Sequence, residues 1–412
     1  MKLLALGAGG VMGGNGIKVL QNFPGIEEIT IADLYLEKAE NLAKELNFPK
    51  VSAIQLDVTD TKKLTELARK YDLVFNAVGP FITFGVPTLK AIIEAGTDYI
   101  DVCDEGDASA ELLKLNGMAK EAGVTALIGM GQTPGIANMQ AKYVAERLDS
   151  VDNLLIAWSS GMPDIEAVRG TDLEQEIANW IEILKDAESF KAVGKAGWDH
   201  MVHSCTGNIP VWKNGKFDTV PAWESGIYVD FAEHLGRVPV FFVGHAEPST
   251  LPHYIDIKNF CACLGNMYAK ELRLEARGHE EPLNPPVMPD TPLWTAPDAW
   301  KGLSVWQAQA AIAEGWKDGK KVRLTNRFMC STFDRGAYTF GGQAIGIYLL
   351  GQMKDKPKGV FAPEGIFETD LFFETLTRLL NRMNGWDMTP EELVPTQCEE
   401  IENGILDGVI DN

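Results

Sequence analysis

The chain has 412 residues, which at about 150 residues per domain suggests two or three domains. Hydrophobic residues make up 45 % and charged residues 23 %, a globular composition that excludes a disordered chain. Its 37 basic and 58 acidic side chains leave a net charge of −21, a field that repels phosphate backbones and anionic bilayers, so neither nucleic acid nor a membrane is an expected partner.

From Met1 to about Asp149 short apolar runs alternate with amphipathic stretches, the pattern of repeated βαβ units on a parallel sheet. Strands are expected at Lys2–Leu6, Glu28–Ala32, Val51–Leu56, Asp72–Ala77, Tyr99–Val102 and Thr125–Gly129. Helices are expected at Leu36–Leu46, Asp60–Lys70, Val86–Ala95 and Ala108–Ala122, where apolar residues recur at three- and four-residue spacing. The fold class is therefore α/β, with an N-terminal Rossmann-type doubly wound sheet. After about Ser150 the rhythm changes. Strand-like runs at Asn153–Ser159, Val238–Val243 and Val322–Cys330 are separated by helices and by the proline-rich EEPLNPPVMPDTPLW. The expected organisation is a dinucleotide-binding domain over residues 1–135, an α+β substrate-binding and dimerisation domain over 136–340, and C-terminal helices over 341–412 that return to the first domain.

Directly after the first strand comes Gly7-Ala8-Gly9-Gly10-Val11-Met12-Gly13, opening a helix. Gly7 allows a tight turn, Gly9 lets backbone approach a pyrophosphate, and the helix N-terminus, with Gly10, Val11 and Met12, offers unpaired N–H groups to negative charge. The third glycine falls one residue later than the usual spacing. Asp33 ends the second strand 20 residues after Gly13, where a carboxylate accepts hydrogen bonds from an adenosine ribose and repels a 2′-phosphate. Leu34 and Tyr35 follow it with no arginine, so NAD is the expected cofactor, with NADP disfavoured. Capping of the helix from Leu36 is the alternative role for Asp33. Asp57, at the end of the third strand, is expected at the adenine edge or as a cap.

Three further segments, DLVFNAVGPF, VPTLKAIIEAGTDYIDVCDEGD and ALIGMGQTPGIAN, resemble the saccharopine dehydrogenase-like family, which includes saccharopine, lysine and carboxynorspermidine dehydrogenases and reductases. The likeness rests on Asn76, Pro80 and Phe81, on the run ending at Asp101, and on Gly131, Pro134, Gly135 and Asn138. A C-terminal likeness runs over GGQAIGIYLLGQMKDKPKGVFAPEGIFETDLFFETL, where FGGQ stands in place of the T-G-x-P of many relatives. The resemblance implies an NAD(P)-dependent oxidoreductase acting on the C–N bond of an amino-acid-derived secondary amine or imine. Alternatives are a lysine-type dehydrogenase releasing ammonia and a nucleotide-sensing protein without chemistry. It also implies a homodimer.

Ligands bind open α/β sheets at the carboxyl ends of the strands. Asn76, Val78, Gly79 and Pro80 are accordingly expected at the nicotinamide and its ribose, with Cys103, Asp104, Glu105 and Asn138 towards the substrate; a small buried apolar group is the equal alternative for Cys103. Proton transfer suits histidine, so His200, His203 and His245 are the first catalytic candidates, with Asp104, Glu105 and Cys103 after them. His245 is expected at the substrate, and Arg169, Arg237 and Arg335 are candidates to clamp a substrate carboxylate. The six scattered cysteines and six histidines form no metal-binding spacing, so no metal is expected. No apolar run reaches the roughly 18 to 20 residues of a membrane helix, and the N-terminus shows no cleavage-site pattern, so the expected location is the cytoplasm.

Overall fold

The computed structural model describes residues 1–160, 169–170, 174–175, 178, 198–231, 235–266, 270–279, 281–300, 307–330 and 339–409. The chain divides into two compact units, Met1–Met139 with Arg335–Gly385, and Gln140–Asp334 with Trp386–Asn412.

The first unit is built on seven parallel strands: β1 (Lys2–Leu6), β2 (Glu28–Asp33), β3 (Val51–Gln55), β4 (Leu73–Asn76), β5 (Asp98–Asp101), β6 (Thr125–Leu127) and β15 (Gly359–Phe361), strands being numbered in chain order. Their spatial order is β15-β6-β5-β4-β1-β2-β3. Leu3, Leu4, Ala5 and Leu6 are all fully buried, as a parallel strand covered on both faces requires. The six strands read from the sequence are present, and the C-terminal segment adds the seventh, Val360 pairing with Ala126. Helix α4 runs Phe81–Ala95 and so begins five residues before the expected Val86. Its start is fixed from a distance, because the Glu105 carboxylate accepts from the backbone N–H groups of Phe81 at 2.7 Å and Ile82 at 2.8 Å. The expected helix Ala108–Ala122 is two helices, Gly106–Leu113 and Asn116–Ala122.

Helix α1 (Val11–Leu20) packs against the helix Thr339–Gln352. The contact is close because glycine is used on one side, and a Cβ on Gly16 would meet Gln343 Oε1 at 1.9 Å. Gln343 is fully buried, and neither polar atom of its amide has a partner among the described residues. On the same helix, Gly342 lets backbone approach backbone, since a Cβ there would lie 2.1 Å from the Gly131 carbonyl oxygen.

The second unit carries a nine-stranded mixed sheet with the order β10-β11-β12-β7-β13-β14-β16, and β8 pairs with both β12 and β9. Its strands are β7 (Ser150–Ser160), β8 (Asn208–Lys213), β9 (Lys216–Pro221), β10 (Gly226–Asp230), β11 (Arg237–Val243), β12 (Ile257–Asn266), β13 (Gln307–Lys317), β14 (Lys320–Cys330) and β16 (Thr396–Glu400). Only β7 and β12 run parallel among these pairs. One face buries Leu155, Ala157, Phe260, Ala262, Ala310 and Ile312 in a continuous apolar core. Strand β16 lies on the edge beside β14. Residues 386–412 therefore belong with the second sheet, and the C-terminal return to the first unit stops at Gly385, short of the expected 412.

Candidate functional site

In the first sheet, β1 lies between β2 and β4, so the chain leaves β1 towards one side and returns on the other. The carboxyl ends of β1 and β4 flank the crevice that this reversal opens, where open α/β sheets hold ligands. The glycine turn spans it. Gly7 has φ +67, and a Cβ there would lie 2.8 Å from Val78 Cγ2. A Cβ on Gly9 would fall 2.7 Å from Asp33 Oδ2, so the Asp33 carboxylate rests directly on the turn. Gly10 caps α1 in extended conformation with no side-chain cap, which leaves the first amides of the helix to a ligand. The late third glycine also has a physical reason, since a Cβ on Gly13 would meet Ala77 Cβ and Ala8 Cα, both at 2.9 Å.

Around this turn the surface is apolar and open: Val11 is 53 % exposed, Met12 47 %, Tyr35 61 % and Ile82 60 %. Gly79 and Pro80 are exposed beside it, and Val78 is half-buried. The shape fits a dinucleotide. The turn is a cradle free of Cβ atoms, the Asp33 carboxylate lies against it, and exposed apolar side chains stand around it. The other oxygen of Asp33, Oδ1, accepts from the Tyr35 N–H at 3.0 Å, so this side chain also shapes the turn that follows it. Asp57 is exposed, and its Oδ1 accepts from the Thr59 N–H at 2.9 Å and the Thr59 hydroxyl at 2.7 Å, bonds that hold its carboxyl below the ordinary range.

Beneath the crevice lies a buried polar network. Asn76 is fully buried, donates to the Tyr99 hydroxyl at 2.9 Å and accepts from the Val78 N–H at 3.0 Å. It shapes the turn after β4 and is not placed to touch a ligand, which corrects the expectation for this residue. Asp101 accepts from the N–H groups of Gly129 at 2.8 Å and Cys103 at 3.0 Å, and so ties together the exits of β5 and β6. Burial pushes its carboxyl up to about 6, against the opposing pull of those two amides. Sequence reasoning placed Asp101 at the end of a motif and gave it no role.

For Cys103 the buried reading holds and the catalytic one does not. It is fully buried, lies 3.4 Å from the Ser109 hydroxyl, and burial with the nearby Asp101 pushes its thiol well up, so it is neither an acid nor a nucleophile near neutrality. Glu105, expected at the substrate, instead holds the N-terminus of α4 as described above. Asp104, beside it, is half-buried. Asn138 is fully buried, accepts from the Gly135 N–H at 2.9 Å and donates to Glu364 at 2.9 Å, which fixes the turn before the helix Ile136–Ala145.

In the second unit the polar groups converge on His245. Its Nδ1 lies 2.7 Å from Glu247 Oε2, and the Cys263 thiol donates to the same oxygen at 3.2 Å. All three are buried, Glu247 and Cys263 completely. A carboxylate only accepts, so the histidine carries its proton on Nδ1 towards Glu247. Burial, followed by the Glu247 charge, keeps the Cys263 thiol protonated. The three could also ring a metal ion. However, 2.7 Å is a hydrogen-bond distance, whereas two ligands about 2.0–2.1 Å from a tetrahedral ion sit about 3.3 Å apart. The geometry is that of an oriented imidazole. His200 faces His245 edge to face at 5.6 Å, while His203 is exposed. Glu247 went unnoticed in the sequence, where GHAEP reads as a loop.

Arg237 is corrected as well. Its guanidinium is bound by both oxygens of Asp230 and donates to the carbonyls of Pro289, Thr291 and Pro292, which holds the proline-rich segment and leaves no fork for a substrate carboxylate. Arg169 sits exposed in a turn, and Arg335 lies outside the described residues. A buried arginine the sequence did not single out, Arg327, donates to the Asp230 carbonyl at 2.7 Å and stacks on Trp294.

Residues 3–127 match the family described as the saccharopine dehydrogenase NADP binding domain. Carboxynorspermidine synthase of Vibrio cholerae is 25 % identical over 96 % of this chain and 98 % of its own. A saccharopine dehydrogenase-like oxidoreductase of Rattus norvegicus is 42 % identical over 71 residues, 17 % of each chain. Among solved structures, apo saccharopine dehydrogenase (L-Glu forming) of Saccharomyces cerevisiae superposes with a TM-score of 0.58 at 15 % identity, covering 97 % of this chain and 99 % of that one, and shows the same fold. The chain is thus similar to saccharopine dehydrogenase-like oxidoreductases, through an NAD(P)-binding domain over residues 3–127 and through relatives and a fold that match along nearly its whole length.

Proposed function

We propose that the protein oxidises or reduces the C–N bond of an amino-acid-derived secondary amine or imine, with NAD preferred over NADP. The observation that carries the reading is the placement of Asp33 Oδ2 and Val78 against the bare backbone of Gly9 and Gly7. A nicotinamide cofactor, when bound, supplies or accepts the hydride. The chain's own residues hold the reactants and move the proton. Unpaired amides at the start of α1 receive the diphosphate. Asp33 accepts from ribose hydroxyls and sets its charge against a 2′-phosphate. The sheet exits tied by Asp101 fix the floor of the crevice.

Amine oxidation also needs a group that takes and returns a proton, and in the second unit the pair His245 and Glu247 has that chemistry. Glu247 fixes the tautomer and stabilises the imidazolium once it forms. This reading takes the proton-handling role from Cys103, whose burial removes it, and from the exposed His203. Relatives of the same length named for carboxynorspermidine synthesis support an amine substrate. We also propose a homodimer in the cytoplasm. No helix among the described residues is long and apolar enough to cross a membrane.

The test is a screen of amino acids, polyamines and 2-oxo acids in both directions, following NADH and NADPH absorbance. Cofactor-dependent turnover with at least one amine or amine-plus-carbonyl pair is expected. It should be lost in His245→Gln with dinucleotide binding retained. Absence of turnover with every pair, in a protein that still binds dinucleotide, would refute the catalytic reading.

A further inference from the structure

Three buried amides in the second unit form a relay whose direction is fixed at one end. Asn326 donates through Nδ2 to the Val394 carbonyl at 2.6 Å and to the Thr396 hydroxyl at 2.8 Å. A backbone carbonyl only accepts, so this amide cannot be reversed, and its Oδ1 faces Gln140. Gln140 donates to that oxygen at 2.6 Å, and Gln309 donates in turn to Gln140 Oε1 at 2.7 Å. The relay therefore ends in Gln309 Oε1, an acceptor that has no partner among the described residues although the side chain is fully buried. Each amide polarises the next, so this terminal oxygen is a stronger acceptor than an isolated amide.

Directly across the ladder from Gln309 stands Trp158, in register on β7. Residues paired in this way project to the same face with Cβ atoms about 4.5–5.5 Å apart. The Trp158 indole nitrogen is likewise buried and without a partner among the described residues. Its ring is held in place, because it lies over Gly265, where a Cβ would meet the indole at 2.5 Å, and beside His245 at 6.5 Å between centroids. One unfilled acceptor and one unfilled donor thus sit on facing strands, next to the oriented histidine. Buried polar groups left unmade cost more than a made bond returns, so a pair of opposite sense points to a ligand with both a donor and an acceptor.

We propose that Gln309 Oε1 and the Trp158 indole N–H recognise an amino-acid-type ligand, the oxygen accepting from its ammonium and the indole donating to its carboxylate. The choice of ligand rests on the amine reading above, whereas the donor and acceptor stand on their own geometry.

The experiment uses the full chain with NADH present, which offers no oxidant to an amine. Three probes are titrated: L-lysine, cadaverine, which lacks the carboxylate, and hexanoate, which lacks the amine. Indole N–H resonances are followed by 15N NMR, Trp158 being identified by its absence in Trp158→Phe, and affinities are taken from calorimetry. The Trp158 resonance should move with lysine and hexanoate and stay with cadaverine. Trp158→Phe should weaken lysine and hexanoate at least tenfold and spare cadaverine, whereas Gln309→Leu should weaken lysine and cadaverine at least tenfold and spare hexanoate. A merely structural role would lower the melting temperature of these variants and leave the affinities of the folded protein unchanged. An unmoved Trp158 resonance, or Gln309→Leu binding lysine as the wild type does, would overturn the proposal and leave bound water as the occupant. Should Gln309→Leu fail to fold, the resonance and Trp158→Phe still decide. Turnover found in the absorbance screen with this resonance unmoved would sink the recognition pair alone. A moving resonance without turnover would sink the catalytic reading alone.

Discussion

Asp101 offers a test of how the crevice is held. Its carboxyl is fully buried, and burial raises it from the ordinary 3.8 to about 6 despite the amides of Gly129 and Cys103. The folded protein therefore binds this proton more tightly than the unfolded chain does. Below about pH 3 both states are protonated, and the group contributes its full share of stability. As the pH rises towards about 6 the unfolded chain has released the proton while the folded protein still holds it, so stability is lost across that window and the loss is complete above it. A displacement of this size corresponds to about 3 kcal/mol at about 1.4 kcal/mol per pH unit. Asp101→Asn removes the titration and keeps an oxygen that can accept from both amides. The difference in unfolding free energy, variant minus wild type, should therefore rise by about 3 kcal/mol between about pH 3 and pH 7 and then level off. Urea unfolding followed by circular dichroism at closely spaced pH values measures it, because the other titrating groups cancel in the difference. A difference that stays flat across the window, or a 13C carboxyl shift for Asp101 titrating at or below pH 4, would show that the two amides outweigh desolvation.

Three further outcomes are expected. Asp33→Asn should lower NAD affinity and raise NADP affinity, narrowing the preference by about 5- to 30-fold, the effect of about 1–2 kcal/mol of screened repulsion from a 2′-phosphate; fluorescence titration giving an unchanged ratio would remove Asp33 from the ribose. Gly13→Ala drives a Cβ into Ala77 and the Ala8 backbone, each at 2.9 Å, and should cost about 1–3 kcal/mol of stability together with dinucleotide affinity, read by thermal melts with and without cofactor. Gln343→Leu replaces an amide with two unpartnered polar atoms and should leave stability unchanged or raise it by about 1–2 kcal/mol. A marked fall in melting temperature for that variant would mean that the amide is engaged.

Much of the first sheet was legible because parallel strands buried on both faces are written as uninterrupted apolar runs, as in Leu3–Leu6, and because the glycine turn has a steric meaning readable without coordinates. The early start of α4 was not legible, since its cap comes from Glu105, 24 residues away, and Gly85 and Pro87 make the segment look like a loop. Nor does sequence separate residues that touch a ligand from those that brace the ones that do. Asn76, Glu105 and Asn138 sit at the right edge of the sheet, but their polar atoms bond to neighbouring backbone or side chains. Arg237 was read as a free fork because Asp230 and the proline-rich carbonyls that bind it are distant in sequence from one another. The relay from Asn326 to Gln309 spans β13, β14 and the helix Ile136–Ala145, and no local pattern joins those residues.

The seventh strand of the first sheet bears on how the molecule is made. β15 pairs with β6 across more than two hundred intervening residues, most of them belonging to the second unit. During synthesis β6 emerges with one edge unsatisfied, and the partner for that edge leaves the ribosome only after the whole inserted sheet. An unpaired strand edge invites pairing with other chains. A fragment ending near residue 139 should accordingly stick to itself, and a stable excised nucleotide-binding module would need Gly359–Phe361 rejoined to it by a designed linker.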